Sequence, residues 1–389
     1  MKKICFLIDS IFSYGGVQRV TSVIAKELAK DYDVTITTFD KKELKDTSLY
    51  NLGEANLKYR FISYPRIGYF HNIICKVYSA LYQKYRPQSK RASDMYGYSS
   101  FPSPLRKSLI KELYNKYDVI IGVHAPLAGR LATIKKKLPG VKMIGWIHNS
   151  YEALFAEQFI YIGSSRKRHY VYQFRKLNHV VLLCQHDADS YAQYDSLLKP
   201  SVIYNPLTLE PGKISDGTSK RFLAVGRFSR QHKGFDLLIE AFNLFAQRNN
   251  EWILDIVGEG PEEDLYREMI NKYKLTDRVK IHPFTNDVQS FYSAAQIYVL
   301  SSRWEGFGLV LVEAMAHGLP IVSSDLPTSK EIMRDFGIYF KNGDIEDLAQ
   351  RLEKATHIDW NQKSKEAVEI AKRFNVETII KQWKQIIED

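Results

Sequence analysis

Short runs of consecutive apolar residues alternate along the whole chain with stretches whose apolar residues recur every three or four positions. The runs, rich in β-branched residues, predict strands buried on both faces, as in a parallel sheet. They fall at residues 3–9, 33–39, 118–123, 142–147, 180–184 and 201–203, and again at 221–225, 252–257, 279–281, 297–300 and 321–323. Between them lie helical patterns, such as Val17, Val20, Val23, Ile24 and Leu28 within 17–30, and the stretches 235–246 and 262–273. Strictly alternating strands and helices predict an α/β protein of two doubly wound units. Asn205 and Pro206 read as the turn between domains 1–205 and 206–375, with a polar run 211–220 leading into the second sheet. An amphipathic closing helix, within 376–389 and carrying Trp383, is expected to lie back across the first domain.

One stretch concentrates the unusual chemistry. Residues 301–325 read SSRWEGFGLVLVEAMAHGLPIVSSD, a strand end, a loop with Gly306 and Gly308, then a helix ended by Gly318 and Pro320. That helix, roughly 309–317, is apolar nearly all round, which predicts burial. Glu313 is the one acid inside it, and a buried carboxylate without a partner costs several kcal/mol. Glu305 stands eight residues earlier, in the loop before the helix. Two such acids can accept hydrogen bonds from a polyol, while the helix N-terminus suits an anion. An anion flanked by hydroxyl groups describes a nucleotide sugar; the alternative for Glu305 is a solvated loop acid.

Composition changes the picture in one respect. The fractions are ordinary for a folded protein, 45% hydrophobic and 25% charged over 389 residues. The net charge of +11 is lopsided, however: residues 1–200 hold 31 Lys/Arg against 16 Asp/Glu, and the remainder 24 against 28. Within 57–116 there are twelve basic residues against Asp94 and Glu112, interleaved with tyrosines. There 69–85 reads as an amphipathic helix with Ile73, Ile74, Val77, Tyr78, Leu81 and Tyr82 on one side. Basic amphipathic helices with aromatic residues lie on anionic membrane surfaces, so this segment is expected to face a membrane. The alternative is a core-facing helix with a solvated basic face. The absence of any DNA- or RNA-binding motif argues against a nucleic-acid partner. Cys5, Cys75 and Cys184 show no metal-type spacing, which points to a reducing compartment. Asp9 cuts the first apolar run short of a signal sequence and no window is long enough to span a bilayer, so the expected location is cytoplasmic, peripheral on the inner face of the cell membrane.

The first loop of the second unit, GRFSRQHKG at 226–234, sets Arg227 and Lys233 beside a glycine turn at a strand's carboxyl end. Two such cations can clamp a diphosphate and neutralise its charge as it leaves. Together with VGEGP at 257–261 and the 301–325 stretch, this loop resembles family 4 of the retaining glycosyltransferases, which have two facing Rossmann-like domains, the GT-B fold. The likeness spans most of 221–348, and more loosely the first domain, through Gly15, Gly16 and the Trp146–His148–Asn149 stretch.

The resemblance implies that the second domain binds the nucleotide sugar and the first the acceptor. Arg227 and Lys233 would hold the donor diphosphate, with Gly16 approaching it. Glu305 would bond sugar hydroxyls, helped by the backbone at Gly306, Phe307 and Gly308, with the Leu309 and Val310 N–H groups near the phosphates. Glu313 would bind the ribose, and His148 would sit near the donor sugar and acceptor; His124 is a further candidate. His148, Glu305, Arg227 and Lys233 make the catalytic set. Retention by front-face reaction, the leaving diphosphate helping to deprotonate the acceptor, is likewise an implication of the resemblance. Asp187 and Asp189 have the D-x-D form used by metal-dependent transferases, but they stand at an apparent helix start, where acids favour the dipole. No metal and no cofactor are expected. The expected activity is transfer from a UDP-hexose or UDP-N-acetylhexosamine to a saccharide, possibly lipid-linked, in bacterial surface polysaccharide assembly. The alternatives are a soluble transferase acting on a protein or small molecule, and a GDP-mannose-dependent mannosyltransferase.

Overall fold

The structure, a computed structural model, describes residues 1–156, 161–209 and 212–389, so Pro211 at the head of the polar run lies outside the described residues. The chain divides into two units, Met1–Asn205 with Val376–Asp389, and Pro206–Asn375. Each is built on one parallel sheet.

In the first unit the strands are β1 (Lys3–Ile8), β2 (Asp33–Thr38), β3 (Lys58–Phe61), β4 (Val119–Val123), β5 (Lys142–Trp146), β6 (His179–Leu182) and β7 (Ser201–Val202), in the spatial order 3-2-1-4-5-6-7. In the second they are β8 (Arg221–Val225), β9 (Ile253–Val257), β10 (Val279–His282), β11 (Ile297–Leu300), β12 (Ile321–Ser324) and β13 (Ile338–Phe340), in the order 10-9-8-11-12-13. Both orders grow outward from a central pair, β1 beside β4 and β8 beside β11. Because crossovers between parallel strands are right-handed, reversing the direction of growth puts helices on both faces. That accounts for the continuous apolar runs: β4 and β11 are buried at every position.

The strands that the hydrophobic pattern leaves unpredicted, β3 and β13, are sheet edges. β3 reads Lys-Tyr-Arg-Phe and alternates between exposed and half-buried positions, so no apolar run marks it. β13 is three residues long. The loop 226–234 also holds one short helix, Arg230–Lys233.

Helix α1 (Gly16–Leu28) follows β1, and the first unit inserts α2 (Tyr69–Tyr85) and α3 (Lys90–Ser100) between β3 and β4. The side assignment expected for α2 is corrected here. Tyr78 and Tyr82 turn inward, Tyr78 Oη donating to the Ala92 carbonyl at 3.2 Å and Tyr82 stacking on Tyr96 at 4.4 Å, while Ile73, Ile74, Val77 and Leu81 are exposed. The closing helix Val376–Glu388 is part of the first unit's core. Trp383 is fully buried with its ring 4.8 Å from that of Trp146, and Tyr32 Oη donates to Glu388 at 2.8 Å.

His169 ties α3 to the helix Ser164–Phe174. It is buried, and its Nδ1 meets the Ser93 carbonyl at 3.0 Å and the Ser93 hydroxyl at 3.1 Å. Burial, the dominant cause, lowers its pKa to about 4. An unfolded chain takes up this proton near pH 6.5 and the folded chain only near 4, so the contribution is complete at neutral pH and is lost as pH falls between those values. Chemical denaturation is expected to show wild type losing roughly 2–3 kcal/mol more between pH 7 and 4.5 than His169→Gln does; equal losses would refute the assignment.

Candidate active site

In a doubly wound sheet, the two loops that leave neighbouring central strands in opposite directions open a crevice at the carboxyl edge. In the second unit those loops follow β8 and β11, which pair with Ile297 opposite Phe222. They are the loop 226–234 and the loop 301–308. The fold thus brings the two most distinctive sequence segments together, although some 70 residues separate them.

The loops are sewn to each other. Arg303 N donates to the His232 carbonyl at 2.7 Å and Ser301 Oγ to the Lys233 carbonyl at 2.9 Å. Gly234, at φ 63°, lies so close that a Cβ there would be 2.2 Å from the Ser301 carbonyl oxygen. Any other residue is excluded at that crossing. The Arg303 guanidinium reaches both oxygens of buried Asp236, at 2.9 and 2.8 Å, and Arg230 Nε adds a third bond at 3.0 Å. Burial would raise the Asp236 pKa; the two guanidinium groups outweigh it and hold the carboxyl below its ordinary range.

At the centre, Lys233 Nζ lies 2.6 Å from Glu305 Oε1, and Ser302 Oγ donates to the same oxygen at 2.7 Å. His232 Nε2 is 3.7 Å from it, with its ring stacked on Trp304 at 3.7 Å and 6°. Glu305 is only 7% exposed. Burial would favour its neutral form, but Lys233 first and His232 second prevail and keep it well below the usual carboxylate range. Among the described residues the recorded bonds all fall on Oε1 and none on Oε2.

Gly308, at φ 84°, forms the N-cap of the helix Leu309–Ala316, so Leu309 and Val310 make its first turn. Phe307 faces inward, its ring 5.8 Å from Phe374, leaving only its backbone toward the loop. Glu313 is 2% exposed; Tyr292 Oη donates to Oε2 at 2.9 Å and Thr208 Oγ1 to Oε1 at 3.4 Å. Arg227 is exposed at the start of the first loop. Lys233, Glu305 and the 306–310 backbone therefore lie at one edge of one sheet, and Glu313 is buried further along the helix that starts there.

The other candidates belong to the first unit. Gly16 opens α1 after β1. His148 follows β5; it is buried between Trp146 and His124, at ring distances of 4.3 and 5.3 Å, and its Nε2 has no partner among the described residues. Burial, reinforced by His124, pushes its pKa well below the ordinary value, so the ring is neutral at pH 7. His124 takes a positive φ of 76° and caps the helix Ala125–Ile134. Asp187 lies in the first turn of the helix Gln185–Tyr194 and accepts from Tyr151 N at 2.9 Å, while Asp189 accepts from Gln185 at 2.7 Å. No cluster of three His, Cys, Asp or Glu side chains able to hold a metal occurs among the described residues.

Sequence reasoning missed His232, Ser302, Trp304, the Asp236–Arg303 pair, Tyr292 and Thr208. His232, Ser302, Arg303 and Trp304 lay inside the two segments already singled out, and Asp236 two residues beyond the first, with no local feature that separated them from their neighbours. Tyr292 and Thr208 stand 21 and 105 positions from Glu313, and nothing local marks them.

Removing Lys233 leaves a buried carboxylate with weaker partners, so Lys233→Ala is expected to cost about 3 kcal/mol in chemical denaturation, against under ~0.5 for exposed Arg227→Ala. The sign with pH is also set. In wild type Glu305 is ionised well below its unfolded pKa, and the pair holds until strong acid. In Lys233→Ala the pKa rises above the unfolded value, so stability falls as pH rises through it. A pH-independent loss would mean Lys233 does not hold Glu305 ionised.

A sequence profile described as "Glycosyltransferase Family 4" matches residues 14–210, and one described as "Glycosyl transferases group 1" matches 209–374. An uncharacterized glycosyltransferase of Haemophilus influenzae is 28% identical over 394 residues, covering all of both chains. The amylovoran biosynthesis glycosyltransferase AmsD of Erwinia amylovora is 25% identical, again over the whole of both. Among solved structures, HepE of Anabaena in complex with UDP and glucose superposes over the whole of both chains with a TM-score of 0.76 at 21% identity. A family profile over half the chain, a second over the other half and a shared two-sheet architecture agree: the chain belongs to glycosyltransferase family 4 and is a glycosyltransferase of the GT-B fold.

Proposed function

We propose that the protein transfers a hexose or N-acetylhexosamine, with retention, from a UDP-sugar to a saccharide acceptor carried on a lipid, in assembly of a bacterial surface polysaccharide. The observation that carries the donor assignment is the Lys233–Glu305 pair, 2.6 Å apart beneath the N-terminus of Leu309–Ala316 at the switch point of the second sheet. Within one crevice a carboxylate suits the hydroxyls of a sugar, and a cation and a helix N-terminus suit its diphosphate.

On this reading Arg227, Lys233 and the Leu309 and Val310 N–H groups take the diphosphate. Glu305, with the backbone of 306–308, takes the sugar hydroxyls, and Glu313 takes the ribose. Gly16 and His148 keep the roles that the family resemblance implies. The bond from the sugar's anomeric carbon to the diphosphate oxygen breaks while the acceptor oxygen bonds to that carbon on the same face. The acceptor's proton passes to the leaving diphosphate oxygen. Negative charge grows on the diphosphate as it departs, so fixed cations and N–H groups stabilise the transition state more than the ground state. A neutral, buried His148 suits a hydrogen-bonding role near the sugar. The same cations offset the phosphate charge without a metal, and none is required on this reading.

UDP is favoured by the complex of HepE with UDP and glucose, and polysaccharide assembly by the likeness to AmsD. The lipid carrier and a peripheral position on the inner membrane face are favoured by the basic first half of the chain. No helix among the described residues is long and apolar enough to cross a membrane.

Two measurements test this. Thermal shift against UDP-, GDP- and ADP-sugars without added metal is expected to single out a UDP-sugar, with about 2.7 kcal/mol of stabilisation at a concentration one hundred times its Kd. A shift with GDP-mannose alone would replace the donor, and no shift with any would remove the site. Glu305→Ala and Arg227→Ala are each expected to lower turnover ~100-fold or more while remaining folded. Glu313→Ala is expected to raise the donor KM chiefly, and an unchanged KM would end its ribose role.

A further inference from the structure

Helix α2 is inside out. At 3.6 residues per turn, Phe70, Ile74, Val77 and Leu81 form one stripe, bordered by Ile73 and Tyr85. The side roughly opposite carries Asn72, Cys75, Ser79 and Gln83, and it is this more polar side that turns toward the protein. All four are half-buried, and Ser79 Oγ lies 3.0 Å from Ser99 Oγ on α3. The apolar stripe meets solvent instead, with Phe70 79% and Ile74 69% exposed. A helix that merely covered a core would present these faces the other way round. Large exposed apolar side chains in one continuous strip mark an interaction surface.

Charge says which partner. From residue 55 to 93 the chain has no acid and eight basic residues. Lys84 borders the stripe and exposed Lys76 lies further round the helix; Arg66 precedes the stripe, and Arg86, Lys90 and Arg91 follow. Asp94, the next acid, is engaged by Lys176. Tyr69 and Tyr85 stand at the two ends of the helix, and both are exposed. A second copy meeting this face through a two-fold axis would bring like charges together. An anionic bilayer instead offers acyl chains to the stripe and headgroups to the cations and tyrosines.

We propose that α2 is the membrane anchor, lying in the interfacial plane of an anionic bilayer with Phe70, Ile74, Val77 and Leu81 inserted among the acyl chains. This deepens the peripheral-membrane reading above and rests on it. The test uses the full chain in co-sedimentation with phosphatidylcholine vesicles, with and without phosphatidylglycerol, at low and high salt. Binding is expected only with phosphatidylglycerol and to weaken in salt. The variant Phe70→Ser/Ile74→Ser/Leu81→Ser is expected to partition at least ~10-fold less while melting as wild type does. Lys76→Gln/Lys84→Gln, which removes only exposed charge, is expected to bind less and with a flatter salt dependence; it decides the matter if the serine variant does not fold. Wild-type binding that neither variant diminishes would keep the membrane reading and overturn the anchor. Wild type that ignores anionic vesicles overturns both. A wild-type dimer that ignores vesicles and that the serine variant makes monomeric would assign the stripe to a second copy.

Discussion

The reversal of strand order between β8 and β11 is the constraint on which the proposed chemistry depends. Two parallel strands that pair directly, yet send their chains away in opposite directions, must open their carboxyl-end loops into a crevice. In this protein those loops carry Lys233 and Glu305, so a topological fact places a cation and a carboxylate 2.6 Å apart. The crossing is too close for a side chain at Gly234 and is locked by the Arg303–Asp236 fork. Loops held this tightly lose little freedom when a ligand arrives, which is the condition for electrostatic stabilisation of a transition state.

The electrostatics follow from that enclosure. Glu305 and Asp236 are buried acids that stay ionised because each faces cations in a site from which water is largely excluded. The same enclosure would make the crevice receptive to a diphosphate, since the first turn of Leu309–Ala316 adds positive potential beside Lys233, and exposed Arg227 adds charge at its rim. In the first unit the balance is the opposite. His148 and His169 are buried without a carboxylate against the ring and are neutral.

Helix α2 departs from the pattern expected of a helix that covers a core, and departures of this kind concentrate where function outweighs stability. Its inward face is held by Tyr78, Tyr82 and small polar contacts, which is a weaker attachment than an apolar stripe would provide. The chain therefore keeps its best apolar surface for something else.

The sequence by itself determined the class of fold, the two-unit organisation of strands and helices, and the two distinctive loops, 226–234 and 301–308, that meet in the second unit. Strands buried on both faces need unbroken apolar runs, and tight loops at their ends need glycine, so both leave local marks. Edge strands β3 and β13 left none, because an edge is half solvated or too short to show a period. Tertiary structure alone decided that Lys233 pairs with Glu305, that Tyr292 and Thr208 bond Glu313, and that α2 faces outward. Pairing depends on which loops the strand order brings together. A helix's apolar stripe shows that it must be covered, but only the packing of its other side reveals that this protein does not cover it.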